Sequence, residues 1–243
     1  DIVNRPTFPR VYNGIMCGRY TLHQKADNLA KRFNLAKVPA KNPENYNVAP
    51  GQMMPVITED ENGRHLEIMR WGVVPQWAKD PSIGYKLINA RSESIFEKPM
   101  WRNVVKRKRA IIPADGFYEW KKPTDPKGRK QPFYIHPRQA DLFGFAGIWE
   151  TWKDVNGQEV KSYSIVTTEP NKEMRDIHDR MPVILHAEDE ASWLSPAHND
   201  DRAVIEALLR PYQDNGLEMY EVSSEVNSVR NNVQGLTYPL ESI

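Results

Sequence analysis

Cys17 is the only cysteine in the 243-residue chain, and it directly follows Met16. A lone cysteine usually packs as a small buried hydrophobic residue, but a thiolate is also a strong nucleophile. A nucleophilic thiol needs neighbours that donate, accept or orient protons. The sequence places residues able to do this in three short segments: Asn89 in Asn-Ala-Arg, Glu119 in Phe-Tyr-Glu-Trp, and His178 in Ile-His-Asp-Arg.

Each of these residues also has a structural interpretation, and the residues alone leave both open. His178 beside Asp179 could be a hydrogen-bonded structural histidine. Glu119 lies in an aromatic, strand-like run, where its carboxylate either faces water or is buried with a partner. Trp77 and Trp120 are more often part of a core than platforms on which a nucleobase stacks.

The elements that must position these residues are mostly strands. Two β-hairpins are predicted around Asn-Gly dipeptides, because this pair suits the positive φ of tight turns. One joins residues 53–58 and 65–71 through a turn that ends in Asn62-Gly63, and the other joins residues 145–152 and 160–167 around Asn156-Gly157. Further strands are predicted over residues 110–114, 117–121, 132–136 and 219–222.

Helices are few. Residues 24–35 carry four apolar side chains at helical spacing, and a second helix is predicted over residues 201–210, before Pro211. Strands and helices do not alternate regularly. We therefore predict an α+β fold, with a single domain, a curled, mainly antiparallel (barrel-like) sheet core and peripheral helices.

Charge is unevenly distributed along the chain. The formal net charge is only +1, yet residues 98–138 contain twelve Lys or Arg and three Asp or Glu. Such a segment is either a solvated basic helix and loop or a surface for a polyanion, and charge alone does not decide between them.

Composition indicates where in the cell the protein is located and whether it binds a metal. The chain has no apolar run long enough to span a membrane and no secretion signal, and a single cysteine fits a reducing compartment, so we expect a cytoplasmic protein. The six histidines and one cysteine show no metal-ligand spacing, so we expect no metal.

Six motifs together carry more information than any one of them. They are Met-Cys-Gly-Arg-Tyr (16–20), Asn-Val-Ala-Pro-Gly (47–51), Trp-Gly (71–72), Asn-Ala-Arg (89–91), Ala-Asp-Gly-Phe-Tyr-Glu-Trp (114–120) and Ile-His-Asp-Arg-Met-Pro (177–182). In this order they resemble the SOS-response-associated peptidase (SRAP) family, the abasic-site processing proteins. The resemblance runs from Met16 to about Gly235.

The resemblance implies roles for individual residues. It places the family's nucleophile on Cys17 and the supporting polar residues on Asn89, Glu119 and His178. It places the DNA-contacting positions on Arg19, Pro50, Trp77, Arg91 and Thr167. Relatives carry two adjacent tryptophans where this chain has Trp77-Ala78, so one stacking surface is missing.

The implied partner is single-stranded DNA with an abasic site, whose deoxyribose can open to an aldehyde. An N-terminal cysteine carries an amine and a thiol on adjacent carbons. The amine can form an imine with the aldehyde, and the thiol can then close a thiazolidine ring, with the second step intramolecular. This chemistry needs no cofactor, and a protein consumed in the reaction works as a monomer.

Residues 1–16 prevent this chemistry as long as they are attached to Cys17. With a peptide bond on its nitrogen, Cys17 has no α-amine, so we expect the chain with this extension to be inactive in covalent capture. We interpret residues 1–16 as a leader (a tag, a mis-assigned start or a propeptide cut by Cys17 itself) and residues 17–243 as the abasic-site processing domain. We expect the leader to run near the active cleft.

Two other functions fit parts of the pattern. A thiol peptidase acting on other proteins would use Cys17, His178 and Asn89 as a triad, but it gives no reason for the basic segment of residues 98–138. A non-catalytic single-strand-binding module would use that segment and Trp77, and replacing Cys17 would leave its binding unchanged.

Overall fold

Thirteen strands form two sheets in the computed structural model, which describes residues 18–37, 44–125 and 127–240. Cys17 and the leader lie outside these residues, and so does the expectation about the leader's position. The strands are β1 (Tyr20–Leu22), β2 (Asn45–Val48), β3 (Met53–Asp60), β4 (Gly63–Trp71), β5 (Asn89–Arg91), β6 (Arg109–Ala114), β7 (Gly116–Lys121), β8 (Gln131–Pro137), β9 (Phe143–Lys153), β10 (Glu159–Thr168), β11 (Met181–Pro182), β12 (Ile184–Leu185) and β13 (Leu217–Glu221).

The two predicted hairpins build most of a closed barrel. Strands β3 and β4 pair antiparallel, and so do β9 and β10. Strand β6 bridges β3 and β9, and β4 pairs in parallel with β10. The ring β10-β4-β3-β6-β9 therefore closes on itself, because β9 returns to β10. Closure removes the free edges that an open sheet of the same strands would expose.

A second sheet, in the order β13-β8-β7-β1-β2, packs against this barrel. Tyr20 of β1 lies edge-on to Trp71 of β4, with ring centroids 5.1 Å apart, and its hydroxyl is 2.7 Å from that of Tyr163 on β10. Phe117 of β7 contacts Phe145 of β9 in the same way. These aromatic contacts join both layers into one core.

The helices lie at the edges of the sheets and are short. They are α1 (Ala26–Phe33), α2 (Val104–Arg107), α3 (Glu190–Leu194) and α4 (Arg202–Leu208). The helix predicted over residues 24–35 is α1, shortened at both ends. Lys25 is extended and Asn34 has a φ of 51°, in the left-handed region that ends helices.

The α+β fold with one barrel-like domain is confirmed. The first hairpin's turn ends in Asn62-Gly63 as predicted, because Asp60 pairs with Gly63 in the ladder and leaves Glu61-Asn62 as the loop. Gly63 has a φ of 104°, as the Asn-Gly signal indicates. Strand β5 and the parallel pairings of β10 were not predicted, and they position the candidate site.

Candidate active site

Strand β5 brings two of the predicted residues to the end of β10. In the parallel ladder Asn89 pairs with Ile165, and Arg91 pairs with Thr167. Asn89 and Arg91 are two residues apart on a strand, so their side chains share one face of the sheet. Arg91 is exposed and Thr167 is fully buried. Asn89, Arg91 and Thr167 thus form one group although they are far apart in sequence.

Arg180 closes one side of this group. Its guanidinium contacts both carboxylate oxygens of Glu93, one of them at 2.8 Å. It also donates to the backbone oxygen of Thr167 at 2.8 Å and to the Thr167 hydroxyl at 3.3 Å. Burial alone would raise the pKa of Glu93, but the hydrogen bonds from Arg180 hold this pKa below its ordinary value.

His178 is oriented by the same segment. Its side chain is 16% exposed, and Nδ1 accepts a hydrogen bond from the backbone N–H of Arg180 at 3.2 Å. In a neutral imidazole the accepting nitrogen carries no proton, so the proton is on Nε2. The carboxylate of Asp179 lies 3.0 Å from the same nitrogen. Both contacts orient the ring through Nδ1, and in the neutral ring that accepts from Arg180 the donor is Nε2.

Arg19 is a largely buried cation held by neutral acceptors. Its guanidinium donates to the side-chain oxygen of Asn47 at 3.0 Å and to the backbone oxygen of Val226 at 2.7 Å. Burial lowers its pKa to about 10, and an electrostatic interaction with Tyr118 offsets part of this effect. Within residues 18–37, 44–125 and 127–240, Arg19 forms no salt bridge, so its charge is available to an anion.

Glu119 belongs to the second sheet, beside Arg19. The backbone N–H of Tyr118 donates to the carbonyl oxygen of Arg19 at 3.0 Å, which fixes β7 against β1. Glu119 is 2% exposed. Alternate residues of a strand share a face, so it lies on the same side as Phe117, which packs against the barrel. The carboxylate is thus buried between the two layers.

The remaining predicted DNA contacts lie on turns. Pro50 is half-buried in the turn between β2 and β3, where Gly51 donates to the carbonyl of Trp71 at 2.8 Å. Trp77 is 68% exposed, whereas Ala78 is buried and its carbonyl accepts from the indole of Trp152.

Three further residues organise the site; the sequence offered Arg180 as a residue that orients His178, but it gave no role to Asn47 or Glu93. Asn47 is buried and donates to the carbonyls of Val226, Ser228 and Asn231, so it holds the C-terminal segment around Arg19. Glu93 and Arg180 hold each other beside Thr167. All three stand in or next to the six motifs, but their partners are distant in sequence.

The described residues hold no cluster arranged for a metal site and no helix suited to span a membrane. Across 18–37, 44–125 and 127–240, no group of three His, Cys, Asp or Glu side chains is arranged to hold a metal ion. The absence of a metal remains a prediction. No helix among these residues is long and apolar enough to cross a membrane.

Comparisons with known proteins agree on one family. The family model described as SOS response associated peptidase (SRAP) matches residues 16–229. Abasic site processing protein YoqW from Bacillus subtilis (strain 168) is 47% identical over 219 residues, which cover 89% of this chain and 96% of that protein. Abasic site processing protein HMCES from Xenopus tropicalis is 32% identical over 218 residues, covering 77% of this chain and 63% of that protein.

Solved structures share the fold of this chain. A crystal structure of a protein from Bacteroides thetaiotaomicron superposes with a TM-score of 0.80 at 27% identity, over 92% of this chain and all of that one (100%). A phage-related protein from Bordetella bronchiseptica superposes with a TM-score of 0.68 at 28% identity, over 92% of this chain and 99% of that one. The family match spans most of the chain and includes the segments that carry the candidate site. This chain belongs to the SOS response associated peptidase (SRAP) family.

Proposed function

We propose that this protein recognises abasic sites in single-stranded DNA and crosslinks to them through Cys17, and so shields the lesion during the DNA damage response. One observation carries the proposal: a buried carboxylate, Glu119, and the guanidinium of Arg19, which donates to the neutral oxygens of Asn47 and Val226, lie beside β1, the strand that follows Cys17 in sequence. Cys17 is two residues from Arg19, and Glu119 adjoins Tyr118, which is hydrogen-bonded to Arg19. The abasic-site processing relatives support the same substrate.

The reaction needs an α-amine and a thiol on one residue. The amine of Cys17 adds to the aldehyde carbon of the opened sugar, and loss of water gives an imine. The thiol then adds to the imine carbon and closes a thiazolidine, so one aldehyde and one aminothiol yield the adduct and one water. The second addition is intramolecular, where effective molarities of about 10⁵ M or more are accessible.

Three polar residues move or hold protons in this proposal. His178, protonated at Nε2, donates to the sugar ring oxygen as the ring opens. Glu119 transfers the protons that imine formation requires, from a position shielded from water. Asn89 offers an amide that holds the amine or the aldehyde oxygen.

The cations and one aromatic residue hold the DNA. Arg19 and Arg91 bind phosphates on either side of the lesion. The DNA backbone also contacts the protein near Thr167 and Pro50. Trp77 is exposed and can stack on a base, whereas the neighbouring Ala78 offers no second ring. Because the reaction needs only an amine, a thiol and proton transfer, we propose that the protein acts as a cytoplasmic monomer without metal or cofactor.

The proposal requires a free amine on Cys17. Residues 17–243 form the functional domain, and residues 1–16 act as a leader that blocks capture until it is removed. The word peptidase in the family description supports self-removal, with Cys17 attacking its own preceding peptide bond. Mass spectrometry of the purified full chain over time tests this: cleavage before Cys17 that Cys17→Ala abolishes supports self-removal, and an intact Cys17 chain contradicts it.

The central experiment mixes protein with single-stranded DNA carrying one abasic site and resolves the products on a denaturing gel. We compare the chain starting at Cys17, its Cys17→Ala variant, and the chain with residues 1–16 attached. A heat-stable shifted band supports the proposal when the chain starting at Cys17 forms it, Cys17→Ala does not, and the longer chain forms it only as residues 1–16 are removed. No band from any form contradicts it, and unchanged DNA binding by Cys17→Ala would then favour a non-catalytic binding module.

The role of Glu119 has its own test. General acid–base catalysis typically contributes about 10²-fold or more, so we expect Glu119→Gln to slow crosslinking by at least about 100-fold. Glu218→Gln is the matched control, because Glu218 is half-exposed on β13 of the same sheet. An undiminished crosslinking rate in Glu119→Gln would remove Glu119 from the mechanism.

A further inference from the structure

The basic segment of residues 98–138 divides into two parts that the sequence does not separate. In the first part, residues 98–109, four of the six cations have partners within the protein. Lys106 and Arg107 lie 3.8 and 3.7 Å from Asp200, and Lys108 is paired with Glu150. Arg109 is 6% exposed and donates to the carbonyls of Val105, Lys106, Trp193 and Ser195. Arg109 is therefore buried away from any external anion, and the other three cations already have a carboxylate partner.

The second part is the hairpin connection between β7 and β8. Five cations fall within residues 121–130, against a single acid, Asp125; they are Lys121, Lys122, Lys127, Arg129 and Lys130. All five are exposed, and in the described part of the chain none of them forms a salt bridge. We call these five residues the basic hairpin.

The basic hairpin begins next to the buried carboxylate of the candidate site. Lys121 is two residues after Glu119 on β7, so the two side chains share a face of the sheet. Glu119 pairs across the strands with Phe133, and the Lys121 ammonium lies 6.0 Å from the Phe133 ring centroid. Lys122 is three residues beyond Glu119, which is about 10 Å along an extended strand. The cations therefore extend outward from the site.

We propose that the basic hairpin is a second DNA-binding surface, which holds the phosphates of single-stranded DNA a few nucleotides from the lesion. The proposal rests on the proposed function for the identity of the nucleic acid. Its physical basis is that exposed cations without acidic partners release counterions from a phosphate backbone, whereas cations already paired with carboxylates release few. The surface adds affinity without sequence preference, because phosphates carry no base information.

The test measures non-covalent binding of the full chain to a 20-nucleotide undamaged single strand, a length chosen to be about that of one binding site. The variant carries Lys122→Gln, Lys127→Gln, Arg129→Gln and Lys130→Gln. The slope of log Kd against log salt should fall by about 0.7 for each phosphate that the protein no longer neutralises, and by about 2.8 where all four cations bind phosphates. At low salt we expect binding to weaken by at least about tenfold.

A matched control removes the same charge from cations that already have partners. It carries Lys106→Gln, Arg107→Gln, Lys153→Gln and Lys172→Gln, whose ammonium or guanidinium groups lie 3.1 to 3.8 Å from Asp200, Glu159 or Asp214. We expect its salt slope to stay close to that of the unmodified protein. Asp125→Asn tests the opposite sign, and removing this single hairpin carboxylate should tighten binding.

The outcomes separate this inference from the proposed function, because undamaged DNA cannot be crosslinked. If the hairpin variant and the control have the same salt slope, the basic hairpin is not a DNA-binding surface, even where abasic DNA is crosslinked normally. If only the hairpin variant has a smaller slope, the inference holds, even where no crosslink forms. Absence of any binding by the unmodified protein overturns the inference as well.

Discussion

Arg180 contacts three parts of the candidate site, which are Glu93, Thr167 and His178. Its guanidinium binds Glu93 in the turn after β5 and Thr167 at the end of β10. Its backbone N–H donates to His178 and thereby selects the imidazole tautomer. Glu93 thus acts on His178 indirectly, as a positioning residue, although its own carboxylate adds negative charge to a surface proposed to bind phosphate.

These two effects of Glu93 have opposite signs, and a substitution separates them. Glu93→Gln removes a negative charge, so non-covalent affinity for single-stranded DNA should stay equal or increase about twofold. It also releases Arg180, so crosslinking by the chain starting at Cys17 should slow by about tenfold, since small misplacements of a catalytic group are costly. Affinity and single-turnover crosslinking rate are measured on the same abasic strand.

Glu97→Gln is the matched control. Glu97 lies four residues after Glu93 and forms an exposed salt bridge with Arg202 at 2.8 Å. It should leave both quantities unchanged. Glu93→Asp should recover part of the rate. A Glu93→Gln protein that binds more weakly and reacts at the normal rate would show that Glu93 does not position His178.

At the residue level, the sequence predicted which residues form the site, but it did not predict which of them contact each other. Asn89, Glu119 and His178 stand in short polar segments that are visible by eye. The Glu93–Arg180 contact spans 87 positions, and no local pattern indicates it. Such pairs depend on the folded arrangement of β5 and β10, which a single sequence does not specify.

At the level of elements, one buried carboxylate holds two cations from different elements. Glu190 of α3 is 1% exposed and forms salt bridges with Arg32 of α1 at 2.7 Å and with Arg64 of β4 at 3.3 Å. Arg64 continues to Glu59 on β3. The network therefore ties two helices to the first hairpin of the barrel.

Removing the shared carboxylate should leave the partly buried guanidinium of Arg32 without its counter-charge, and that of Arg64 with Glu59 alone. We expect Glu190→Gln to lower the free energy of unfolding by about 3 kcal/mol, measured by denaturant titration of the full chain. Glu206→Gln is the control, since Glu206 pairs with Arg202 on the exposed face of α4, where water screens the charges and such pairs contribute little. Equal losses of stability in the two variants would contradict a structural role for the network.

Elements with strong local signals were predicted, and short elements were not. Asn-Gly turns and alternating apolar residues identified both barrel hairpins, because each strand there has eight or more residues. Strand β5 has three residues, too few for any period to appear, and it depends on its pairing with β10. The candidate site lies on such short segments, so its geometry could not be predicted from the sequence.

At the level of the whole molecule, the chain passes from the barrel to the second sheet at Asp115. Asp115 separates β6 of the barrel from β7 of the second sheet, and its side chain is buried there. It accepts hydrogen bonds from the Thr21 hydroxyl and from the backbone N–H of His23, and the imidazole of His23 lies 3.4 Å away. Burial raises the pKa of Asp115, although His23 and the hydrogen bonds counteract part of the rise.

This raised pKa makes global stability depend on pH in a defined direction. A carboxyl with a raised pKa binds more protons in the folded state than in the unfolded state at mildly acidic pH, so its contribution to stability falls as pH rises. The contribution is complete below the ordinary pKa of about 3.9 and is lost as pH rises through the raised pKa of the folded state. The free energy of unfolding, taken as unmodified protein minus Asp115→Asn, should therefore decrease between about pH 4 and pH 7.

Asp80 provides a control of opposite sign within the same chain. Hydrogen bonds from the Ser82 hydroxyl and backbone hold the pKa of Asp80 below its ordinary value. Its contribution to stability is present above the ordinary pKa and is lost as pH falls, so the difference between unmodified protein and Asp80→Asn should increase with pH. Both series are measured by urea titration from about pH 3 to pH 7, so that the range includes the ordinary pKa of an aspartate. If the Asp115 series also increases with pH, the hydrogen bonds from Thr21 and His23 outweigh burial, and the connection between the layers is held by an ionised carboxylate.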